Sequence, residues 1–237
     1  MLKNRIIVTL LHDGKGNAVK PVSFGAPRPV GSLAQHVKVQ AERDIDELIL
    51  IDINATREKR TINFDRIAEY ASDLYCPLTV GGNIHSLEDI RAALNYGADK
   101  VILKNALLKY PRFVKEASKK YGAQCLVAAM DWPDKLTPYD YNVRMIERLG
   151  VGEICFTSTT RDGKMVGYNI KSLTSIVKCA KVPVIANGGC GSVDDMHKAL
   201  RIGASAVAAS SLFLYTDITP RECAEELARR GCQVRTR

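Results

Sequence analysis

Short apolar runs alternate with longer amphipathic segments along the whole chain. Eight of the apolar runs are almost continuously hydrophobic, which is typical of strands covered on both faces of a parallel sheet. These predicted strands are Arg5–Leu11, Leu48–Ile53, Leu78–Val80, Val101–Leu103, Cys125–Met130, Ile154–Thr157, Val184–Ala186 and Ala206–Ala209.

A segment with helical periodicity follows each predicted strand. The predicted helices are Ser32–Glu42, Asn63–Leu74, Leu87–Asn95, Pro111–Lys120, Pro138–Leu149, Ile170–Lys178, Val193–Arg201 and Pro220–Arg230. Three helices begin with the hydroxyl and carboxylate of a capping box: Ser86 with Asp89, Ser192 with Asp195, and Thr219 with Glu222. Glycines stand where helix ends need a left-handed residue, at Gly97, Gly122, Gly150 and Gly203.

Eight strand–helix pairs predict a single closed (β/α)₈ barrel, which is an α/β fold. A doubly wound open sheet is the alternative, but the chain lacks the G-x-G-x-x-G turn that this fold usually carries after its first strand. The length of 237 residues matches one barrel, and no linker or charge block interrupts it. Residues 1–237 are therefore expected to form one domain.

The chain repeats itself across its midpoint. TVGGNIHSLEDIRAALNYGADKVILKNALL and IANGGCGSVDDMHKALRIGASAVAASSLF share a strand, a Gly-Gly pair, a capped helix and a further strand. ELILIDINATREKR and EICFTSTTRDGKMV form a second matching pair at nearly the same separation. The barrel is therefore expected to consist of two similar four-stranded halves.

Composition narrows the classes of function. The formal net charge is +8, but Lys and Arg are dispersed, so an anionic small molecule is a better expected ligand than nucleic acid. The apolar run near the N-terminus is too short for a secretion signal or a membrane span, so a cytoplasmic location is expected. Seven cysteines without a C-x-x-C pair or a histidine cluster predict neither disulfides nor a metal site, and no cofactor is expected.

The Gly-Gly pairs are candidate phosphate sites, because each lies between a strand and a helix whose amides and dipole favour an anion. A tight turn is the alternative for each pair. The candidate donors are Gly82, Lys104 and Asn105 for the first site, and Asp162, Gly163, Gly188, Gly189, Ser210 and Ser211 for the second. Two such sites predict a long substrate with a phosphate at each end.

Asp131 ends the fifth predicted barrel strand, at the face where such barrels carry their catalytic residues. A carboxylate there is a candidate general acid or base, and a helix-capping or loop aspartate is the alternative. The matching position at the end of the first strand holds Leu11. A second acid group opposite Asp131 would therefore require His12 or Asp13 to turn inward.

Four charged residues lie at or just before the beginning of predicted strands, at the opposite end of the barrel from Asp131. They are Arg5, Glu47, Lys100 and Glu153. Two cations and two anions at the barrel floor can pair into an ionic ring that closes it. Separate solvated charges at the rim are the alternative.

Several stretches together resemble the cyclase subunit of imidazole glycerol phosphate synthase, over nearly the whole chain. They are RIIVTLL, DELILIDINATREKR, LTVGGNIHSLEDI, GADKVILKNALL, LVAAMD, GEICFTSTTRDGKMVGYN and PVIANGGCGS. The resemblance implies that a glutaminase docks at the barrel floor and that ammonia passes up the axis to a bisphosphorylated ribonucleotide. It also implies that the four floor residues are an ammonia gate, that Asp99 faces the glutaminase, and that Asp131 is one of two catalytic aspartates.

The departures from that family concern the opposite end of the barrel. Leu11 stands where the second catalytic aspartate is expected, and leucine cannot transfer a proton. The segment after Asp131 is shorter than in the family, Asn83 replaces a third glycine, and Lys104 replaces a neutral amide.

This combination resembles cyclase-like paralogues associated with amidation of bacterial surface-glycan sugars, in which a separate acceptor enzyme receives the ammonia. The favoured hypothesis is therefore a barrel that docks a glutaminase and conducts ammonia to a different acceptor. The second hypothesis is an active histidine-pathway cyclase that uses Asp131 with His12 or Asp13. The third is a stand-alone isomerase or another phosphate-binding barrel, against which the floor residues argue.

Overall fold

The computed structural model describes residues 3–133 and 139–236. Its strands are β1 (Arg5–His12), β2 (Asn17–Lys20), β3 (Arg28–Ser32), β4 (Glu47–Asp52), β5 (Leu78–Gly81), β6 (Lys100–Leu103), β7 (Leu126–Trp132), β8 (Glu153–Ser158), β9 (Val184–Asn187) and β10 (Ala206–Ala209). Its helices are α1 (Leu33–Glu42), α2 (Phe64–Ser72), α3 (Leu87–Asn95), α4 (Asn105–Lys109), α5 (Pro111–Tyr121), α6 (Tyr139–Glu147), α7 (Ile170–Cys179), α8 (Val193–Arg201), α9 (Ser211–Tyr215) and α10 (Pro220–Arg229).

The parallel strands close into a barrel. β1 and β4 to β10 pair in chain order, and β1 also pairs with β10, with Arg5 opposite Ala206 and Val8 opposite Ala209. Every pairing around the ring is parallel, and helices connect successive strands. The predicted (β/α)₈ barrel is confirmed.

The start and stop signals of the helices act locally as predicted. Ser86 and Thr219 each form a complete capping box with the carboxylate three residues later. Ser192 forms only half of one, because its hydroxyl accepts from the amide of Asp195 while that carboxylate accepts from the amide of Gly191. Pro138, the first residue of one predicted helix, lies outside the described residues.

Four short elements of the described structure were absent from the sequence-based prediction. β2 and β3 form an antiparallel hairpin, which extends β1 at its carboxyl end by pairing Leu11 with Val19. The helices α4 and α9 each span five residues and follow β6 and β10, the equivalent strands of the two halves. Elements this short carry too few residues for hydrophobic periodicity to indicate them.

The hydrophobic core has two layers because successive side chains of a strand point to opposite faces. The larger layer lies between the strands and the surrounding helices. The smaller layer fills the barrel axis and consists of Ile7, Ile49, Ile102, Val127, Cys155, Ile185, Ala206 and Ala208. The odd-numbered residues of β1 therefore face the axis, and this parity determines which charged side chains reach the two ends of the barrel. Among the described residues, none of the helices combines the length and hydrophobicity needed to cross a bilayer.

Candidate functional site

The four charged residues at the floor form a closed ring of ion pairs. Arg5 Nη1 lies 2.6 Å from Glu47 Oε2, and Arg5 Nη2 lies 2.9 Å from Glu153 Oε2. Lys100 Nζ completes the ring at 2.9 Å from Glu47 Oε2 and 3.1 Å from Glu153 Oε1. Each cation therefore bridges both anions, so the structure brings the four predicted residues together rather than leaving them as separate rim charges.

Glu47 is the most deeply buried member of this ring, with only 1% of its side chain exposed. Its second oxygen, Oε1, accepts a hydrogen bond of 2.7 Å from the Thr79 hydroxyl, so both oxygens have partners. Burial opposes the charge on Arg5, but hydrogen bonds and charge interactions with Glu153 and Glu47 outweigh it and raise the pKa of Arg5. The ring pairs two cationic with two anionic side chains, so their formal charges balance.

An apolar layer lies directly above the ring. The hydrophobic side chains along the axis are aliphatic apart from Cys155, and the hydroxyl of Thr9, on the same face of β1 as Ile7, is buried without a hydrogen-bond partner among the described residues. Burial raises the pKa of the Cys155 thiol, so this side chain is also uncharged. A small neutral molecule can be accommodated in such surroundings at much lower cost than an ion.

The opposite end of the barrel opens into a cavity of about 900 Å³. Residues at or just beyond the carboxyl ends of the barrel strands line it, among them Leu11, Gly81, Asp131, Thr157 and Asn187. This is the face at which (β/α)₈ barrels carry their ligand and catalytic sites. The cavity is therefore the candidate ligand site.

Asp131 forms an ion pair inside this cavity. Its Oδ2 lies 2.6 Å from Nζ of Lys104, and the same ammonium group lies 5.3 Å from the ring centroid of Phe24. Phe24 belongs to the loop that joins β2 and β3. The side chain of Asp131 is thus held by a cation that the sequence assigned to the first phosphate site.

The neighbours of Leu11 do not replace the missing carboxylate. Leu11 lines the cavity, whereas His12 is buried on the other side of β1, where its Nδ1 accepts a hydrogen bond from the amide of Gly14. The Asp13 carboxylate accepts hydrogen bonds from Lys15 and Asn17. The structure therefore argues against the expectation that His12 or Asp13 turns inward, because strand alternation directs His12 away from the axis.

The first candidate phosphate site is open and polar. Gly82, Lys104 and Asn105 all line the cavity, but Lys104 and Asn105 are exposed. Gly82 has a φ of +141°, and a Cβ there would lie 2.8 Å from the Cβ of Asp52, so the packing of the turn alone requires glycine. Lys104, the cationic residue among these three candidates, is paired with Asp131.

The second candidate site is more deeply buried. Ser210 and Ser211 are 7% and 4% exposed, and their hydroxyl oxygens are buried without a hydrogen-bond partner among the described residues. Gly188 and Gly189 lie beside them, with φ values of +82° and +101°. A buried hydroxyl without a partner is unfavourable, so this pair is suited to donate to a bound anion.

Lys20, which the sequence-based prediction missed, also lines this second site. Its ammonium group is buried and lies 3.1 Å from Asp162 Oδ1. The small pocket beside it has room for about one water molecule, at about 10 Å³, and shares Lys20, Asp162, Asn187 and Ser210 with the large cavity. Lys20 lies on β2, whose existence depends on the hairpin, so no local pattern indicated its contact with a residue 142 positions away.

The predicted contribution of Asp162 differs from the observed one. Its amide donates to the carbonyl of Ser158 at 3.0 Å and is therefore used within its own loop, while its carboxylate binds Lys20. A Cβ on Gly163 would lie 2.6 Å from the carbonyl oxygen of Pro21, so the hairpin loop packs directly on this glycine. The Asp162-Gly163 pair therefore anchors the hairpin across the mouth of the cavity.

Arg60, a second cationic residue that lines the cavity, was also absent from the sequence-based prediction. Arg60 Nη1 lies 2.6 Å from Asp52 Oδ2, and Asp52 Oδ1 accepts hydrogen bonds from the amides of Asn54 and Ala55. The hydrogen bond with Asp52 raises the pKa of Arg60. Within the described part of the chain, His, Cys, Asp and Glu side chains do not gather into a group that could hold a metal ion.

Comparison with known proteins agrees with this architecture. A family model described as histidine biosynthesis protein matches residues 6–219. The chain is 39% identical over 250 residues to the imidazole glycerol phosphate synthase subunit HisF of Thermococcus onnurineus, and 37% identical over 252 residues to that of Dictyoglomus thermophilum. It is 35% identical over 248 residues to a Campylobacter jejuni protein named as imidazole glycerol phosphate synthase subunit hisF2. Each alignment covers 99% of both chains.

The match therefore extends over the floor, the axis and the cavity rather than over one motif. The barrel, its order of strands and the level of identity over the full length agree with one another. This chain belongs to the histidine biosynthesis protein family that includes the HisF subunits of imidazole glycerol phosphate synthase.

Proposed function

We propose that this barrel is the synthase-side subunit of a glutamine amidotransferase. A glutaminase docks against the floor, ammonia passes through the ionic ring and along the apolar axis, and the cavity delivers it to an acceptor. The observation that carries this proposal is the ring of Arg5, Glu47, Lys100 and Glu153 directly below an apolar axis that opens into the cavity.

The charges of the ring suit a gate for ammonia. Four linked side chains close the floor to water and ions, and the loss of a single link would open it while the other links hold the remaining charges. Above the ring, the aliphatic axis penalises ammonium far more than neutral ammonia. The ionic ring and the aliphatic axis together favour passage of neutral ammonia, which is the reactive form, over ammonium.

Two features support a glutaminase as the partner at the floor. The relatives are named as subunits of a synthase, and the resemblance to the cyclase subunit implies that the other subunit is a glutaminase. Asp99 precedes Lys100 at this end of the barrel and is exposed, and its Oδ2 accepts a hydrogen bond of 2.8 Å from the amide of Leu78. Its carboxylate is thus held in position for a partner.

We favour an acceptor other than the bisphosphorylated ribonucleotide. Ring closure by an acid and base pair needs a second proton-transferring group, and Leu11 lines the cavity at the position expected for it. The alignment with the first relative spans 250 positions against a chain of 237 residues, so the chain also lacks residues that the relative has. Together with the resemblance, these departures favour amidation of a surface-glycan sugar, with a third acceptor enzyme over the cavity.

The second candidate function is ring closure in histidine biosynthesis. The observation that favours it is the 35% to 39% identity over whole chains to proteins named as imidazole glycerol phosphate synthase subunits. A phosphorylated small molecule in the cavity is common to both candidates.

Both candidate functions require a glutaminase partner. This requirement is tested by mixing the barrel with the glutaminase from the same genome. We expect a complex and faster hydrolysis of glutamine than by the glutaminase alone. The variant Glu47→Gln should bind the glutaminase and admit ammonia less selectively. If neither a complex nor faster hydrolysis is observed, both candidates lose their basis.

The two candidates are separated by supplying the bisphosphorylated ribonucleotide with a high ammonium concentration. We expect no steady formation of imidazole glycerol phosphate by the native chain. Steady turnover that is lost in Asp131→Asn would instead establish ring closure. Leu11→Asp is the matched variant, because it adds the missing carboxylate while leaving the floor unchanged.

A further inference from the structure

The two ends of the cavity offer different chemistry to a ligand. At the second end, Ser210 and Ser211 present buried hydroxyls that have no hydrogen-bond partner among the described residues, next to the buried ammonium group of Lys20. At the first end, the equivalent positions hold Lys104 and Asn105, which are both exposed. The repeated halves have therefore kept the architecture but differ in their polar groups, and three further exposed cations line the cavity, namely Arg57, Lys59 and Lys109.

The positive charge of Lys104 is balanced by the carboxylate of Asp131. Its Nζ lies 2.6 Å from Asp131 Oδ2, and its other neighbour in this direction is the ring of Phe24. A phosphate that approached Lys104 would also approach the carboxylate of Asp131, which repels it. The first end therefore offers no net positive charge from this pair, although it contains a lysine.

We infer that Lys104 determines specificity, and that the cavity takes a ligand with a single phosphate, bound at the Ser210–Ser211 end. The part of the ligand without phosphate then lies against the Lys104–Asp131 pair, which can donate and accept hydrogen bonds to hydroxyl or amide groups. This inference rests on the proposed function only in treating the cavity as the site of the acceptor. It replaces the expectation of a phosphate at each end.

Binding at the second end requires a local change. The pocket at this end has a volume of about 10 Å³, which is too small for a phosphate, and the Lys20–Asp162 pair borders it. A phosphate would therefore draw Lys20 away from Asp162 and take that ammonium group as its own counter-ion. The two serine hydroxyls would then donate to its oxygens and gain their missing partners.

The test measures how many inorganic phosphate ions bind to the barrel alone, by calorimetric titration. We expect one site in the native chain, one in Lys104→Met, and none in the double variant Ser210→Ala with Ser211→Ala. Asp131→Asn should have two sites, because it frees Lys104 for the first end. Adding Lys104→Met to Asp131→Asn should return the number to one.

Matched controls separate this result from general charge effects and from misfolding. Asp13→Asn also removes one negative charge near the mouth but not in the cavity, and it should keep one site. Each variant is accepted only if its thermal unfolding is cooperative. Two sites in the native chain, no binding at all, or a single site in Asp131→Asn would each overturn the inference.

Failure of this inference is distinguishable from failure of the proposed function. The titration needs no glutaminase, no glutamine and no acceptor, and it concerns only the cavity end of the barrel. Glutaminase binding and glutamine hydrolysis concern the floor. A chain that stimulates a glutaminase but binds two phosphates would therefore keep the proposed function and lose the single-phosphate inference.

Discussion

Glu47 shows at the scale of one residue how the floor depends on paired charges. Its carboxylate contacts Arg5, Lys100 and Thr79. In Glu47→Gln, two cations would share one remaining carboxylate at a nearly buried position. We expect the free energy of unfolding to fall by about 3 kcal/mol. This loss is at the low end of the range for breaking a buried ion pair, because Arg5 and Lys100 keep some contact with solvent. Urea denaturation measures this loss.

An exposed glutamate provides the control for this measurement. Glu225 lies on α10 and is exposed. Glu225→Gln removes the same charge and should change the free energy of unfolding by no more than about 0.5 kcal/mol. Equal losses in the two variants would mean that the ring contributes nothing beyond overall charge.

His12 makes stability depend on pH. Burial lowers its pKa below the value of 6.5 for a free side chain, although the carboxylates of Asp52 and Asp13 oppose this shift. Between the lowered folded-state pKa and 6.5, the unfolded chain binds more protons than the folded chain, so stability rises with pH there. We expect the free energy of unfolding to decrease as the pH falls below 6.5, because protonation would also remove the hydrogen bond that Nδ1 accepts from Gly14.

The variant His12→Asn isolates this contribution. Its amide oxygen can still accept from the Gly14 amide but does not titrate in this range. The difference in unfolding free energy between the native chain and the variant, measured from pH 5 to 8, should therefore change mainly below about pH 6.5. A difference that stays constant over the whole range would exclude His12 as the cause.

The site residues differ in how far the sequence predicts them. The floor charges were predictable, because strand boundaries and strand parity alone bring Arg5, Glu47 and Lys100 to one end of the axis. The partner of Lys104 was not predictable, because it depends on the side-chain direction across two neighbouring strands. That the hydroxyls of Ser210 and Ser211 have no hydrogen-bond partner among the described residues was not predictable either. Whether a buried hydroxyl has a partner depends on every residue packed around it.

Helix caps act at the scale of the element. Ser86 begins α3 with a complete capping box, so Ser86→Ala should lower the free energy of unfolding by about 1 kcal/mol. Ser175 lies inside α7, where its hydroxyl only donates to the carbonyl of Lys171. Ser175→Ala should therefore be neutral or slightly stabilising, because alanine favours helix interiors. Thermal unfolding of the two variants compares the same substitution at two positions, and a similar effect in both would contradict the capping argument.

Helices and strands were predictable where they are long enough to show a periodic hydrophobic pattern. The eight barrel strands and their following helices extend over enough residues for periodicity and caps to indicate them. The β2–β3 hairpin has a four-residue and a five-residue strand, and its second strand is mostly exposed. Its position depends on pairing with β1 and on the contact of Lys20 with Asp162, which are both distant in sequence.

At the scale of the whole molecule, the barrel places the ionic ring and the cavity at opposite ends of one axis. The floor end carries Asp99 next to the ionic ring. Asp99→Asn removes the charge but keeps an oxygen for the hydrogen bond from Leu78, so the fold should be unchanged. We expect binding to the glutaminase to weaken about tenfold, which corresponds to about 1.4 kcal/mol.

Titration of the glutaminase with native and variant barrels measures this change. Asp73→Asn is the matched control, because Asp73 lies at the end of α2 and pairs with Lys38 at a distance of 3.8 Å on the surface. Equal affinity of the native chain and Asp99→Asn would remove Asp99 from the interface.

The sequence by itself determined the barrel, the repeat of its halves, the set of charges at the floor and the position of Leu11, an uncharged residue, at the end of the first strand. These properties follow from periodicity and from the position of a residue along its strand, which are local. Only the tertiary structure decided that the floor charges close into a ring, that Lys104 binds Asp131, and that Lys20 and two serines, unpartnered within the described part of the chain, line one end of the cavity. These contacts join residues from distant strands, so they exist only after β1 and β10 have paired and the closed barrel has brought the side chains together.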